Sequence, residues 1–191
     1  MIDLSILIPC HVRDAHRLGE LCKVLSTQAL LEDINLQILI DVDNGQTSTG
    51  SKSNSLMQQA AGKYLCRFDA DDLPTINYMQ VLAEGIRRDV DCVSLMGIMT
   101  TNGEKPELFE HSLKYSEYRT NHEAKIGDVK YERFPNHLSC IRASIAKQFT
   151  YPDKTISEDT EWAVKIFNSG LLKTEYYDSR VIYNYLYTTN K

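Results

Sequence analysis

The chain has 191 residues, which at roughly 150 residues per domain predicts a single domain spanning 1–191. Apolar residues make up 42% and charged residues 25%, a balance that excludes a disordered chain. Asp and Glu total 26 against 21 Lys and Arg, a net charge of −5, which argues against a general binder of nucleic acid or anionic membranes.

The N-terminus carries Asp3 where a secretory leader has basic residues, and its apolar run, Leu4 to Ile8, is cut short by Pro9. No run approaches the ~20 apolar residues of a membrane span. Cys10, Cys22, Cys66, Cys92 and Cys140 are odd in number and contain no C-x-x-C pair, so reduced thiols are expected. Together these features predict a soluble, cytoplasmic protein.

Leu4 to Pro9 reads as a buried strand. Asp14 is placed to cap a helix through Leu18, Leu21, Cys22 and Leu25. Leu36 to Val42 is a second strand, ending at Asp41-Val42-Asp43 and the turn signal Asn44-Gly45. Ser53 or Asn54 caps a short helix stopped by Gly62. Tyr64 to Phe68 is a third strand that runs into Asp69-Ala70-Asp71-Asp72. Pro74 suits the first turn of a helix bearing Ile76, Met79, Leu82 and Ile86, and Cys92 to Thr100 is a fourth strand. Glu104 to Arg133 reads as a returning strand and a long loop, and Ala143 to Phe149 as a short helix. Ser157 caps a helix over Glu158 to Ser169, with Trp162, Ala163, Ile166 and Phe167 inward and Gly170 as its stop. Leu171 to Tyr177 and Val181 to Tyr187 close the chain as strands.

This alternation predicts an α/β fold: a mostly parallel central sheet with helices on both faces. Ligands of such sheets bind beyond the carboxyl ends of the strands. The first three strands end in Pro9-Cys10-His11, Asp41-Val42-Asp43 and Asp69-Ala70-Asp71-Asp72, so acids gather along one edge. Clustered like charges need a cation or donors to offset them. Alternate carboxylates of the third group suit a hard divalent cation, Mn²⁺ or Mg²⁺, completed by phosphate oxygens, and a ribose. A plain helix-start acid cluster is the alternative. Asp41 is placed to accept from a nucleobase N–H, or else to form a turn with Asp43. Glu158 and Asp159 suit either a helix dipole or a rigidly held general base. His137, after Pro135-Asn136, is a candidate contact to metal or substrate, or a structural histidine.

Ser5-Ile6-Leu7-Ile8-Pro9, Asp41, Ala61-Gly62-Lys63-Tyr64-Leu65, Asp69-Ala70-Asp71-Asp72 and Glu158-Asp159-Thr160-Glu161-Trp162 follow one another in an order that resembles family 2 glycosyltransferases of the GT-A fold, over roughly residues 4 to 170. The resemblance implies an inverting transferase that moves a sugar from a nucleotide-sugar, UDP-linked in preference to GDP, to a hydroxyl acceptor such as a glycan. It places Pro9, Cys10, His11 and Asp41 by the nucleobase and Lys52 near the nucleotide. It places Asp69 at the ribose and Asp71 at the metal, with Asp69 and His137 as further metal candidates. Asp159 is the implied base, with Glu158 beside it. Residues 1–100 would hold the donor and 101–191 the acceptor, either as a minimal acceptor site or as the module of a larger protein. Two other classes explain clustered acids: a metal-dependent phosphatase-like hydrolase and a non-catalytic nucleotide- or metal-binding module. The hydrolase expects its Asp-x-Asp after the first strand, and a small binding module leaves Glu158-Asp159 unexplained.

Overall fold

The computed structural model describes residues 1–189. Strand β1, Leu4–His11, is apolar on both faces because helices cover both. Leu4, Ile6, Ile8 and Cys10 point to one side, toward α1, Leu18–Leu31, and α3, Tyr78–Arg87. Leu7 points to the other, toward α2, Thr49–Gln59, and α5, Glu158–Ser169. The period of two along a strand makes this division.

In the first sheet the parallel strands β2, Leu36–Asp43, and β3, Tyr64–Arg67, flank β1. The chain steps one way to β2 through α1, then back across β1 to β3 through α2. Right-handed crossovers in opposite directions put the two helices on opposite faces. That reversal opens a crevice at the carboxyl ends of β1 and β3. Gly62 lets the chain enter β3 close against β1: a Cβ there would lie 2.5 Å from the Ser5 nitrogen. The Gly62 N–H also donates to Ser5 Oγ at 2.8 Å.

Downstream, the structure departs from the predicted alternation. The fourth strand breaks at Ser94 into β5, Cys92–Val93, and β6, Leu95–Thr101, which belong to different sheets. Beyond the two-residue strand β4, Leu73–Pro74, the chain reaches α3 only at Tyr78. Pro74 is therefore in a strand, not a helix, and Ile76 is exposed. Strands β7, Glu104–His111, β8, Arg119–Thr120, and β9, Val129–Arg133, occupy the region expected to be one strand and a loop. Strand β10, Ile141–Arg142, is followed by the short helix α4, Ala143–Ala146, with β11, Glu175–Tyr176, and β12, Val181–Tyr187, after α5.

Among the described residues the first sheet runs β11-β5-β10-β3-β1-β2 and the second β4-β12-β6-β7-β9-β8. The first is parallel except for β10, where Ile141 sits between Leu65 and Cys92. Because β10 is antiparallel, the residues leading into it, Phe134 to Cys140, pass the carboxyl end of β3. There the Arg67 N–H donates to the His137 carbonyl at 2.8 Å. No helix among the described residues is long and apolar enough to cross a membrane.

Candidate active site

The crevice begins where β1 and β2 end. Pro9 stands opposite Asp41 in register and His11 opposite Asp43. After His11 the chain makes a 3-10 turn, Val12–Arg17, whose Arg13 N–H donates to His11 Nδ1 at 3.1 Å. Asp14 lies inside that turn and does not start α1. Asp43 accepts from the Gly45 and Thr47 N–H groups and from Lys52 Nζ at 2.7 Å, and the lysine contact leads in holding its carboxyl well below the usual range. Lys52 is buried and also donates to the Cys10 carbonyl at 2.9 Å, so it ties β1 to β2 from within α2. Its helix is capped by Ser48, not by Ser53 or Asn54. Asp41, on the edge strand, has no side-chain partner among the described residues.

The third strand end carries the densest charge. Arg67, the last residue of β3, is only 6% exposed. Its Nε donates to Asp69 Oδ1 at 3.1 Å and its Nη1 to Glu158 Oε1 at 2.8 Å. The His137 ring lies between the same two segments: Nε2 is 3.5 Å from Asp69 Oδ2 and Nδ1 is 3.2 Å from Asp159 Oδ2. These are ion-pair distances without hydrogen-bond alignment. Burial and the Arg67 charge push the imidazole pKa down, but the two carboxylates outweigh them and hold it above its ordinary value. Burial pushes the Asp69 carboxyl up, but Arg67 and His137 together bring it well below the carboxylate range. Asp159 is likewise held low, with His137 overcoming burial.

Glu158 and Asp159 are adjacent but not equivalent. The Glu158 side chain is 4% exposed and committed to Arg67, while that of Asp159 is 26% exposed at the crevice wall. Ser157 adopts a left-handed φ of 63° and makes no side-chain cap, so the expected Ser cap is absent. Asp71 is half-buried beside Asp69, and its carbonyl accepts from Arg17 Nη1 at 2.8 Å. Asp72 turns inward and accepts from the Tyr183 hydroxyl and the Leu186 N–H, both at 2.8 Å. Burial and the charge of Asp69 push its carboxyl up to about 8. Asp72 is thus the peg that fixes the acidic loop to β12. Tyr185, two residues beyond Tyr183, is half-buried; burial first, then Asp69, Asp72 and Asp159, push its phenol up to about 12. Among the described residues no three His, Cys, Asp or Glu side chains converge as a ready metal cage. The five cysteines are free thiols, Cys22 half-buried and the rest buried.

Arg67, Arg17 and Tyr185 are at this site without having been singled out in the sequence. Arg67 had a legible signal: a cation in the apolar run Tyr64-Leu65-Cys66-Arg67-Phe68 must find buried acids.

The fold is that of the GT-A glycosyltransferases. Residues 1–349 of S. aureus TarS, solved in complex with UDP, superimpose with a TM-score of 0.64 at 15% identity, over 97% of this chain and 60% of that one. The same TarS segment with UDP-GlcNAc gives a TM-score of 0.65 at 15% identity, over 100% of this chain and 60% of that one. The catalytic domain of Drosophila β1,4-galactosyltransferase 7, in complex with xylobiose, gives 0.57 at 15% identity, covering 96% and 70%. The chain therefore spans about 60% of the TarS segment it matches. No protein-family model matches the sequence, and comparison with curated protein sequences finds no match.

Proposed function

We propose that the chain is an inverting glycosyltransferase that moves a sugar from a UDP-sugar to a hydroxyl acceptor, a glycan being the expected class. The observation that carries this reading is the pairing of Asp69 with Asp159 across one crevice of a GT-A fold, 90 residues apart in sequence and joined by His137. UDP and UDP-GlcNAc in complexes of the TarS neighbour support the choice of donor.

In this reading Asp41 accepts from the nucleobase beside Pro9, Cys10 and His11, and Asp69 accepts from the ribose. Lys52 braces the two strand ends beneath the nucleotide. A divalent cation, Mn²⁺ or Mg²⁺, fits Asp71: a hard carboxylate next to a diphosphate is the sparse protein share such ions take. A cation held at Asp71 would supply positive charge to offset that on the departing diphosphate. Asp69 and His137 are also engaged with Arg67 and Asp159, so beyond the ribose contact of Asp69 their roles are holding and aligning.

Asp159 is the base. Against burial, its carboxyl is held down by His137 and is ionised near neutrality, the form that accepts a proton, and its partly exposed side chain stands at the crevice wall. The acceptor hydroxyl attacks the anomeric carbon from the face opposite the diphosphate. The C–O bond to the diphosphate breaks as the new one forms, and the hydroxyl proton passes to Asp159. Glu158, enclosed with Arg67, supports the helix turn that presents Asp159.

The test is thermal unfolding with UDP, GDP and uridine, with and without Mn²⁺. UDP at about 100 times its Kd adds about 2.7 kcal/mol, which raises Tm by about 5–11 °C in a chain of this size. Asp159→Asn should keep that shift and lose sugar transfer. GDP acting as strongly as UDP overturns the donor assignment. Rapid hydrolysis of simple phosphate esters, with no response to UDP, favours the phosphatase-like alternative.

A further inference from the structure

Two side chains, a guanidinium and an imidazole, bridge the same two segments of the crevice. Arg67 joins Asp69 to Glu158, and His137 joins Asp69 to Asp159. The segments are the loop after β3 and the first turn of α5, separated by 91 residues along the Arg67–Glu158 bond. Stability alone gives a poor account of this arrangement. A buried ion pair is commonly no more stabilising than apolar residues of the same volume, because desolvation offsets the attraction. Here Arg67 is enclosed with Tyr151 and Trp162 nearby, a place where apolar packing was available. What the arginine supplies instead is geometry. Its guanidinium is a rigid planar fork, and two of its arms hold carboxylates from two different elements at 3.1 and 2.8 Å.

We propose that Arg67 is a positioning residue for sugar transfer: it sets the acceptor-side carboxylate, Asp159, at a fixed place relative to the donor-side carboxylate, Asp69. This deepens the glycosyltransferase reading and rests on it. Glu158 is the link, because its clamped side chain fixes the backbone turn from which the next residue, Asp159, projects. His137 closes the loop from the other side. Donor binding at Asp69 is then felt at the start of α5. Reactions of positioned groups lose on the order of 100-fold for a 1 Å misplacement, so a firm link between the two carboxylates serves the chemistry directly.

The experiment is amide hydrogen exchange on the full chain with and without UDP and Mn²⁺. In the wild type, UDP should slow exchange both in the 68–72 loop and at 157–161. In the double variant Arg67→Met with Glu158→Gln, which leaves no buried charge of that pair unmatched, protection should persist at 68–72. It should fall by about threefold or more at 157–161, since the coupling runs through the removed contact. kcat should fall about tenfold or more with the UDP Kd changed less than about threefold. Arg67→Lys keeps the charge without the fork and should behave like the double variant. Equal protection at 157–161 in wild type and variants overturns the proposal while leaving the glycosyltransferase reading intact. Failure of the wild type to bind UDP overturns both. If neither variant unfolds cooperatively, Arg67 is a folding element and the proposal fails.

Discussion

Glu158 and Asp159 separate an enclosed acid from a crevice-facing one, and the separation is measurable. Glu158→Ala removes the Nη1 partner of Arg67 inside the protein. Orphaning a buried charge costs about 3–5 kcal/mol. Arg67 keeps Asp69 at 3.1 Å, so the loss falls near the lower bound, about 3 kcal/mol. At 2–4 °C per kcal/mol for a chain of this size, Tm should drop by about 6–12 °C. Asp159→Ala should cost only about 1 kcal/mol, because its carboxylate is partly solvated and His137 retains Asp69. Urea unfolding of the two variants beside wild type makes the comparison, and Arg67→Met with Arg67→Met/Glu158→Ala completes the cycle. The double variant should lose less than the sum of its single changes. A Glu158→Ala protein within 1 kcal/mol of wild type refutes the argument, since the ion pair would then contribute nothing that its geometry promises.

Three further predictions follow from individual contacts. Asp71→Asn should remove the Mn²⁺-dependent part of the UDP stabilisation and lower kcat/KM by on the order of 100-fold with little change in unfolding free energy; unchanged Mn²⁺ dependence rejects Asp71 as the cation's ligand. Gly97→Ala places a Cβ 2.1 Å from Phe109 Cζ, and overpacking of this kind costs about 1–3 kcal/mol; Phe109→Leu in the same chain should recover part of it, read by denaturant midpoints. Asp72 is raised in the folded state to about 8 from an ordinary 3.8, so its protonated form is favoured by folding. That stability is fully present below pH about 4 and is lost as pH rises through about 8, and Asp72→Asn should flatten this fall in Tm.

The parts of the fold that could be read from sequence were those with periodicity of their own. β12, Val181–Tyr187, matches its predicted span, and α5 matches from Glu158 to Ser169 with Trp162, Ala163 and Ile166 buried. Both are long enough for a repeat to register. The two-residue strands are not: Ile141–Arg142 is a strand because Leu65 and Cys92 stand on either side of Ile141, a tertiary circumstance. The run from Cys92 to Thr100 is apolar but for Ser94 and Thr100, and a lone serine in such a run does not mark the point where the chain leaves one sheet for another. The Ser94 Oγ accepting from the Asp178 N–H makes that break, using a partner 84 residues away.

The site divides in the same way. Asp41, Asp69 and Asp71 follow apolar runs, and a parallel sheet with alternating crossovers puts such ends on one edge, so their placement at strand ends was legible. His137 was named as a candidate, but its place between Asp69 and Asp159 was not legible, because it depends on β10 running antiparallel and dragging the preceding loop over the end of β3. Arg67 lies between. Its partners are invisible in sequence, but its demand for them is not: strand β3 is buried along its whole length, and a guanidinium there must meet carboxylates. The acids close at hand are Asp69, two residues on, and whatever the rest of the fold delivers. What it delivers is Glu158 of the Glu158-Asp159 pair, and that choice decides which acid of the two is left at the crevice wall. The proposal of Asp159 as the base therefore rests on where Arg67 sits, more than on helix periodicity, which puts both acids near the same side of α5.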